Sequence, residues 1–264
     1  MSARNSTVLC DVQNNVARIT LDRREAANSI DLNLARELMH AVLRCDDDPA
    51  VRAVVITGSG STFCVGGDLK SFAAHGERLS LHLKEVTTYL HAAVSRLTRM
   101  DPPVIAAVNG TAAGAGMSLA CACDFVLAAE SARFTMAYTK VGLTPDGSST
   151  YFLPRLVGLR RALELTLTNR VLCAEEALDW GLVSRVVPDA KLVEEAETLA
   201  TDLASGATVA LGVSKRLLYG GWTETLESQL QHESQAISDI SRTADGREGI
   251  VAFVDKRAPK FEGR

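Results

Sequence analysis

The feature that most constrains this chain is a short, almost continuously apolar run that ends in glycine and then recurs. Residues 51–58 read VRAVVITG and residues 104–110 read VIAAVNG. Runs of this kind suit strands covered on both faces, the situation of a parallel sheet flanked by helices. Between them, residues 81–100 carry apolar side chains at helical spacing, and Pro102-Pro103 ends that helix. The alternation continues through residues 123–129 (CDFVLAA) and 181–187 (GLVSRVV). An α/β architecture with mainly parallel connections follows.

The flanks of this pattern are also readable. In residues 7–21 (TVLCDVQNNVARITL), β-branched residues lie on both sides of Gln13-Asn14-Asn15, which predicts a hairpin turning at the asparagines. A helix follows, capped by Ser29 or Asp31, with Leu34, Leu38, Ala41 and Val42 on one buried face. From Ala190 onward the pattern is helical, with Leu192, Ala196, Leu199 and Leu203 in register and a final helix over residues 248–256 before Pro259. With 264 residues, 47% of them hydrophobic, the chain can bury a sizeable core in one domain or two.

Several function classes are disfavoured at once. A net charge of -4 without a Lys/Arg run offers no footprint for a nucleic-acid backbone. The start, MSARNSTVLC, has no apolar core of a signal peptide, and no stretch approaches the roughly 20 apolar residues of a membrane helix, so a cytoplasmic protein is expected. The six cysteines form no C-x-x-C pair and the five histidines no H-x-x-x-H pair, so no metal is expected and the thiols should be reduced and mostly buried.

Three glycine-rich segments follow strands: GSGSTFCVGGDLK, NGTAAGAGMSLA and VGLTPDGSST. Glycine permits close backbone approach to a ligand, and a helix beginning at such a loop presents free N–H groups. An oxyanion site is one reading, and tight turns with close helix packing are the other. GTAAGAG is not G-x-G-x-x-G, and no phosphate-loop motif occurs. Ser118 in GMSLA falls one residue short of a serine-hydrolase elbow and lies too far past the strand.

Taken together, ITLDRREAANSID, VRAVVITGSGSTFCVGGDLKSF, PPVIAAVNGTAAGAGMSLACACDFVLAAESARF and LTLTNRVLCAEEALDWGLVSRVVP resemble the successive signature blocks of the crotonase (enoyl-CoA hydratase/isomerase) family. The resemblance covers nearly the whole chain. It implies a spiral of ββα units over residues 1–195, forming the acyl-CoA-binding core, and a helical trimerisation region over residues 196–264. It also implies a homotrimer or hexamer, an acyl-CoA thioester as substrate, and no separate cofactor. The family's two oxyanion donors fall on the backbone N–H groups of Gly67 and Ala115, the latter at the start of the helix carrying residues 117–121. Two such fixed donors lower a barrier by a few kcal/mol each, roughly.

Where hydratases of the family carry two glutamates, this chain has Ser118 and Tyr138. Neither is a ready base at neutral pH, so water addition is disfavoured and the two would shape the pocket or hydrogen-bond the substrate. Asp146, in Pro-Asp-Gly, reads on its own as a turn residue. Its block and the ending REGIVAFVDKRAPKFEGR are similar to ring-1,2-epoxyphenylacetyl-CoA isomerases and enoyl-CoA isomerases, which implies a catalytic base there. The same block resembles 4-chlorobenzoyl-CoA dehalogenase, by which Asp146 would be a nucleophile and His91, otherwise a residue beside the helical stripe, its helper. Tyr138 departs from that enzyme's tryptophan. The expectation is an isomerase that shifts a double bond, or rearranges a ring epoxide, in an unsaturated acyl-CoA through an enolate held by the two N–H donors, with an aryl-CoA dehalogenase-type aspartyl-ester hydrolase, a weak hydratase and a non-catalytic acyl-CoA binder as alternatives.

Overall fold

The computed structural model describes residues 6–264. It opens with a hairpin of β1 (Val8–Gln13) and β2 (Val16–Leu21). Asn14 and Asn15 both have positive φ, 53° and 64°, the combination that a two-residue turn matching the strand twist requires. Helix α1 (Leu32–Asp47) follows, and Asp31 is its cap, accepting from the Leu34 N–H at 2.8 Å. Leu34, Leu38, Ala41 and Val42 form its buried face.

Three passes of one plan come next, each a long strand, a short strand and helix. The first is β3 (Ala53–Gly58), β4 (Thr62–Cys64), α2 (Leu69–Ala73) and α3 (Leu79–Leu97). The second is β5 (Val104–Val108), β6 (Thr111–Ala113) and α4 (Ala115–Cys121). The third is β7 (Phe125–Ala129), β8 (Arg133–Thr135), α5 (Ser149–Val157) and α6 (Leu159–Thr168). The chain then adds β9 (Leu172–Cys173), α7 (Ala174–Asp179) and β10 (Arg185–Val187).

Long strands build one sheet in the order β1-β2-β3-β5-β7-β10, and short strands build a second in the order β4-β6-β8-β9. Within the first, only β1 and β2 pair antiparallel; within the second, only β8 and β9 do. This is the spiral of ββα units that the resemblance implies. Each parallel step needs a crossover, and the helices supply it.

Helix α8 (Leu192–Ala204) closes the far face of the large sheet, burying Leu192, Ala196 and Ala200 with Val55, Ile105 and Leu127. The expected boundary between residues 195 and 196 falls inside this helix. The remaining segments, α9 (Thr208–Gly220), α10 (Leu226–Ile240) and α11 (Ala244–Val254), are helical throughout. Helix α11 starts four residues before the expected 248, because the Thr243 hydroxyl caps it by accepting from the Gly246 N–H at 3.0 Å. Helix α3 likewise runs over 79–97 rather than 81–100. No helix among the described residues is long and apolar enough to cross a membrane.

Candidate active site

The ends of β4 and β6 bring two glycine-bearing loops together. Gly66 has φ +94°, and a Cβ there would meet the Ala113 carbonyl at 2.9 Å and the Ala115 nitrogen at 3.3 Å. Only glycine fits so close an approach in that conformation. The neighbours of Gly67 are pinned to Ile30: the Gly66 carbonyl accepts from the Ile30 N–H at 2.7 Å, and the Asp68 N–H donates to the Ile30 carbonyl at 3.0 Å. Asp68 also caps α2 and receives Arg23 at 2.9 Å. This bracing leaves the Gly67 N–H without a partner among the described residues. The Ala115 N–H, at the first position of α4 with no side-chain cap, is equally free.

Both residues line a cavity of about 340 Å³. Its walls are mostly apolar, with Leu83, Val86 and Leu90 along α3 and Phe72 from α2. The helical spacing of the α3 stripe does not by itself mark Leu83, Val86 and Leu90 as pocket residues. Its spacing, three to four residues, is the same for a core face and a pocket wall, so only the empty space beside it reveals the second role.

Asp146 stands on the cavity wall and is its only carboxylate among the described residues. Tyr138, also on the wall, donates its hydroxyl to Asp146 Oδ1 at 2.6 Å. Burial, with the Asp146 charge beside it, pushes the Tyr138 phenol well above its ordinary range, so it remains a donor. Ser118 Oγ lies 3.0 Å from Tyr138 Oη and 3.2 Å from the Gly114 carbonyl. Because the one phenolic proton is directed at Asp146, Ser118 is the donor to whichever of these it engages.

The expected pocket residues therefore separate. Tyr138 faces the cavity. Ser118 is fully buried behind it and does not line the cavity. His91 also lies off the cavity wall, half exposed, with Nε2 at 3.9 Å from Asp146 Oδ2. That nitrogen accepts the Gly147 N–H at 3.1 Å. An Nε2 that accepts carries no proton, and its lone pair is occupied by the Gly147 N–H. No group of three or more potential ligand side chains capable of holding a metal occurs among the described residues.

Comparison with known proteins places the chain in a family. Residues 11–264 match the family described as enoyl-CoA hydratase/isomerase. The 1,2-epoxyphenylacetyl-CoA isomerase of Escherichia coli K12 is 39% identical over 259 residues, covering 97% of this chain and 98% of that protein. A 4-chlorobenzoyl coenzyme A dehalogenase from Arthrobacter sp is 37% identical over 223 residues, covering 84% and 81%. The crystal structure of an enoyl-CoA hydratase from Polaromonas sp. JS666 superposes with a TM-score of 0.92 at 34% identity, covering 96% of this chain and 99% of that one.

Proposed function

The chain belongs to the enoyl-CoA hydratase/isomerase family and is an acyl-CoA enzyme, and within that family we propose that it is an isomerase moving a double bond along an unsaturated acyl-CoA. One observation carries this reading: Asp146 is the single carboxylate on the cavity wall among the described residues, and it is held by Tyr138 at 2.6 Å. Hydration in this family, by the resemblance, uses two glutamates, and here those positions hold a buried serine and a protonated phenol.

In the proposed reaction the thioester carbonyl sits between the Gly67 and Ala115 N–H groups. Asp146 removes a proton from C2 of a 3-enoyl-CoA, and the resulting dienolate oxygen is stabilised by those donors. The same carboxyl group returns the proton at C4, leaving the double bond at the 2-position. Tyr138 orients the carboxylate, and Ser118 orients Tyr138. CoA is the handle of the substrate, and the reaction as proposed draws on no separate cofactor.

The aspartyl-ester route needs a base that activates water after Asp146 has attacked an aryl or epoxide carbon. The engagement of His91 Nε2 by Gly147 favours the proton shuttle over that route. The test is conversion of a 3-enoyl-CoA to its conjugated 2-enoyl isomer, followed by absorbance in deuterated water, alongside hydration of crotonyl-CoA. Isomerisation with slow hydration supports the reading, whether the shuttled proton is retained or exchanges for solvent deuterium on the carboxyl group; fast hydration insensitive to Asp146 replacement overturns it.

The assembly expected from the resemblance, a homotrimer or hexamer, is supported by apolar side chains left in solvent on the last three helices and the turn after α9. Leu218, Trp222, Leu226, Ile237 and Phe253 are all exposed in the single chain. Light scattering coupled to size exclusion tests this, and a monomer at micromolar concentration refutes it.

A further inference from the structure

Away from the cavity, the described residues contain one sulfur–sulfur contact. Cys10 on β1 and Cys45 in the last turns of α1 place their sulfurs 3.8 Å apart. Strand β1 is an edge strand, paired on one side only with β2, and α1 packs against it. Cys10 is partly open to solvent, whereas Cys45 is buried at 2% exposure. One sulfur is thus reachable from outside and the other is reachable only from the first.

We propose that Cys10 and Cys45 form a redox pair, in which Cys10 is oxidised by a hydroperoxide and Cys45 resolves the product into an intramolecular disulfide. The thiolate of Cys10 attacks one peroxide oxygen, the O–O bond breaks, and Cys10 becomes a sulfenic acid while the remaining oxygen leaves as hydroxide or alkoxide. The Cys45 sulfur then displaces the sulfenic hydroxyl, which departs as water with the Cys45 proton. The two sulfurs give up two electrons in all, and the peroxide takes them.

Three features support the pairing. The Cys45 thiol, as a hydrogen-bond donor, and the Arg44 guanidinium hold the Cys10 thiol below its ordinary range, which raises the fraction present as nucleophile. Closing the sulfurs to a bond length of about 2.05 Å asks for side-chain rotation and a small shift of an edge strand, not disruption of the sheet interior. The other cysteines are poorly placed for the same chemistry. Cys64, Cys121 and Cys123 are buried and their thiols are pushed up by burial, and Cys173 accepts the Glu176 N–H as the cap of α7. The consequence is a reversible strap between the edge strand and the first helix.

The experiment treats the full chain with equimolar hydrogen peroxide, blocks remaining thiols with N-ethylmaleimide, and maps peptides by mass spectrometry. The expected result is a chain lighter by two hydrogens, a Cys10 peptide linked to a Cys45 peptide, loss of both sites to alkylation, and full recovery with dithiothreitol. In Cys45→Ala, dimedone should capture a sulfenic acid on Cys10, and in Cys10→Ser the residue Cys45 should stay reduced. Oxidation arriving first at Cys173, or Cys10 surviving peroxide without linkage or dimedone capture, overturns the proposal. Because Cys45→Ala truncates a core side chain, circular dichroism of that variant is measured alongside, and peptide mapping of the unmodified chain decides the matter if the variant does not fold.

Discussion

Replacing Asp146 by asparagine isolates the proton-transfer role better than any truncation. The amide keeps the shape of the carboxyl group, and its oxygen still accepts the Tyr138 hydroxyl that now lies 2.6 Å from Oδ1. The Gly147 N–H to His91 Nε2 bond does not involve the Asp146 side chain and is unaffected in kind. Stability should therefore change by less than about 1 kcal/mol, since no buried group loses its partner. The amide cannot take a proton from C2. A positioned general base contributes about 10²–10⁴ in rate, equivalent to roughly 3–5 kcal/mol of barrier, and turnover should fall by that factor. The assay is the absorbance of the conjugated 2-enoyl thioester formed from a 3-enoyl-CoA, with affinity for a saturated acyl-CoA measured in parallel by calorimetry. Affinity should hold, because the apolar walls and the two N–H donors are untouched. Turnover of the Asp146→Asn protein within a few-fold of the parent would falsify the assignment of Asp146 as the base.

Further outcomes follow from the same geometry. Gly67→Pro removes an N–H that has no structural partner and sets a Cβ 2.6 Å from Phe72 Cε2, so the Phe72 ring must turn aside while turnover drops by at least about 10²–10³, as for loss of one oxyanion donor; Gly67→Ala keeps the N–H and meets the same ring, so the difference between the two variants reads the donor, and a folded, fully active Gly67→Pro excludes this loop. Tyr138→Phe deletes a hydrogen bond to a charged acceptor, worth about 1.5–3 kcal/mol, while Ser118 keeps the Gly114 carbonyl as acceptor, so kcat should fall about tenfold or more with KM little changed; an unaltered kcat refutes the orienting role. A single turnover in heavy-oxygen water should leave Asp146 unlabelled, and a labelled carboxylate or a trapped adduct there would establish the ester route instead. Lys215→Met removes the charge partner of Asp124, which now lies at 2.9 Å with both side chains about nine-tenths buried, and leaves that carboxylate the Val104 N–H and the Tyr219 hydroxyl alone; urea unfolding should show a loss of about 3–5 kcal/mol, and a loss below 1 kcal/mol, roughly, contradicts the burial argument.

Much of this protein was decided locally and could be read as such. Continuous apolar runs became β3 and β5, because a strand buried on both faces has no polar positions to alternate with. The asparagine pair made the hairpin turn, since Asn tolerates positive φ, and the spacing of Leu34, Leu38, Ala41 and Val42 fixed the buried face of α1. The Thr243 cap was equally visible in principle, as Thr three residues before Gly246, but the apolar pattern around it begins later and drew the helix start to 248. The family blocks marked Gly67, Ala115 and Asp146 as candidates.

What lay beyond the sequence depends on pairings between distant residues. Strands β4, β6, β8 and β9 have two or three residues each, too few to show a period, and they exist because neighbouring short strands satisfy one another's backbone groups. The chain of contacts from Ser118 through Tyr138 to Asp146 spans 20 and then 8 residues of separation, and the Gly147 to His91 bond spans 56. No local propensity encodes a rotamer that is set by a partner arriving from another turn of the spiral. The sequence supplied a carboxylate, a phenol, a hydroxyl and an imidazole; packing of α3, α4 and the loop before α5 determined that the phenol grips the carboxylate, the hydroxyl sits behind the wall, and the imidazole lone pair is already taken.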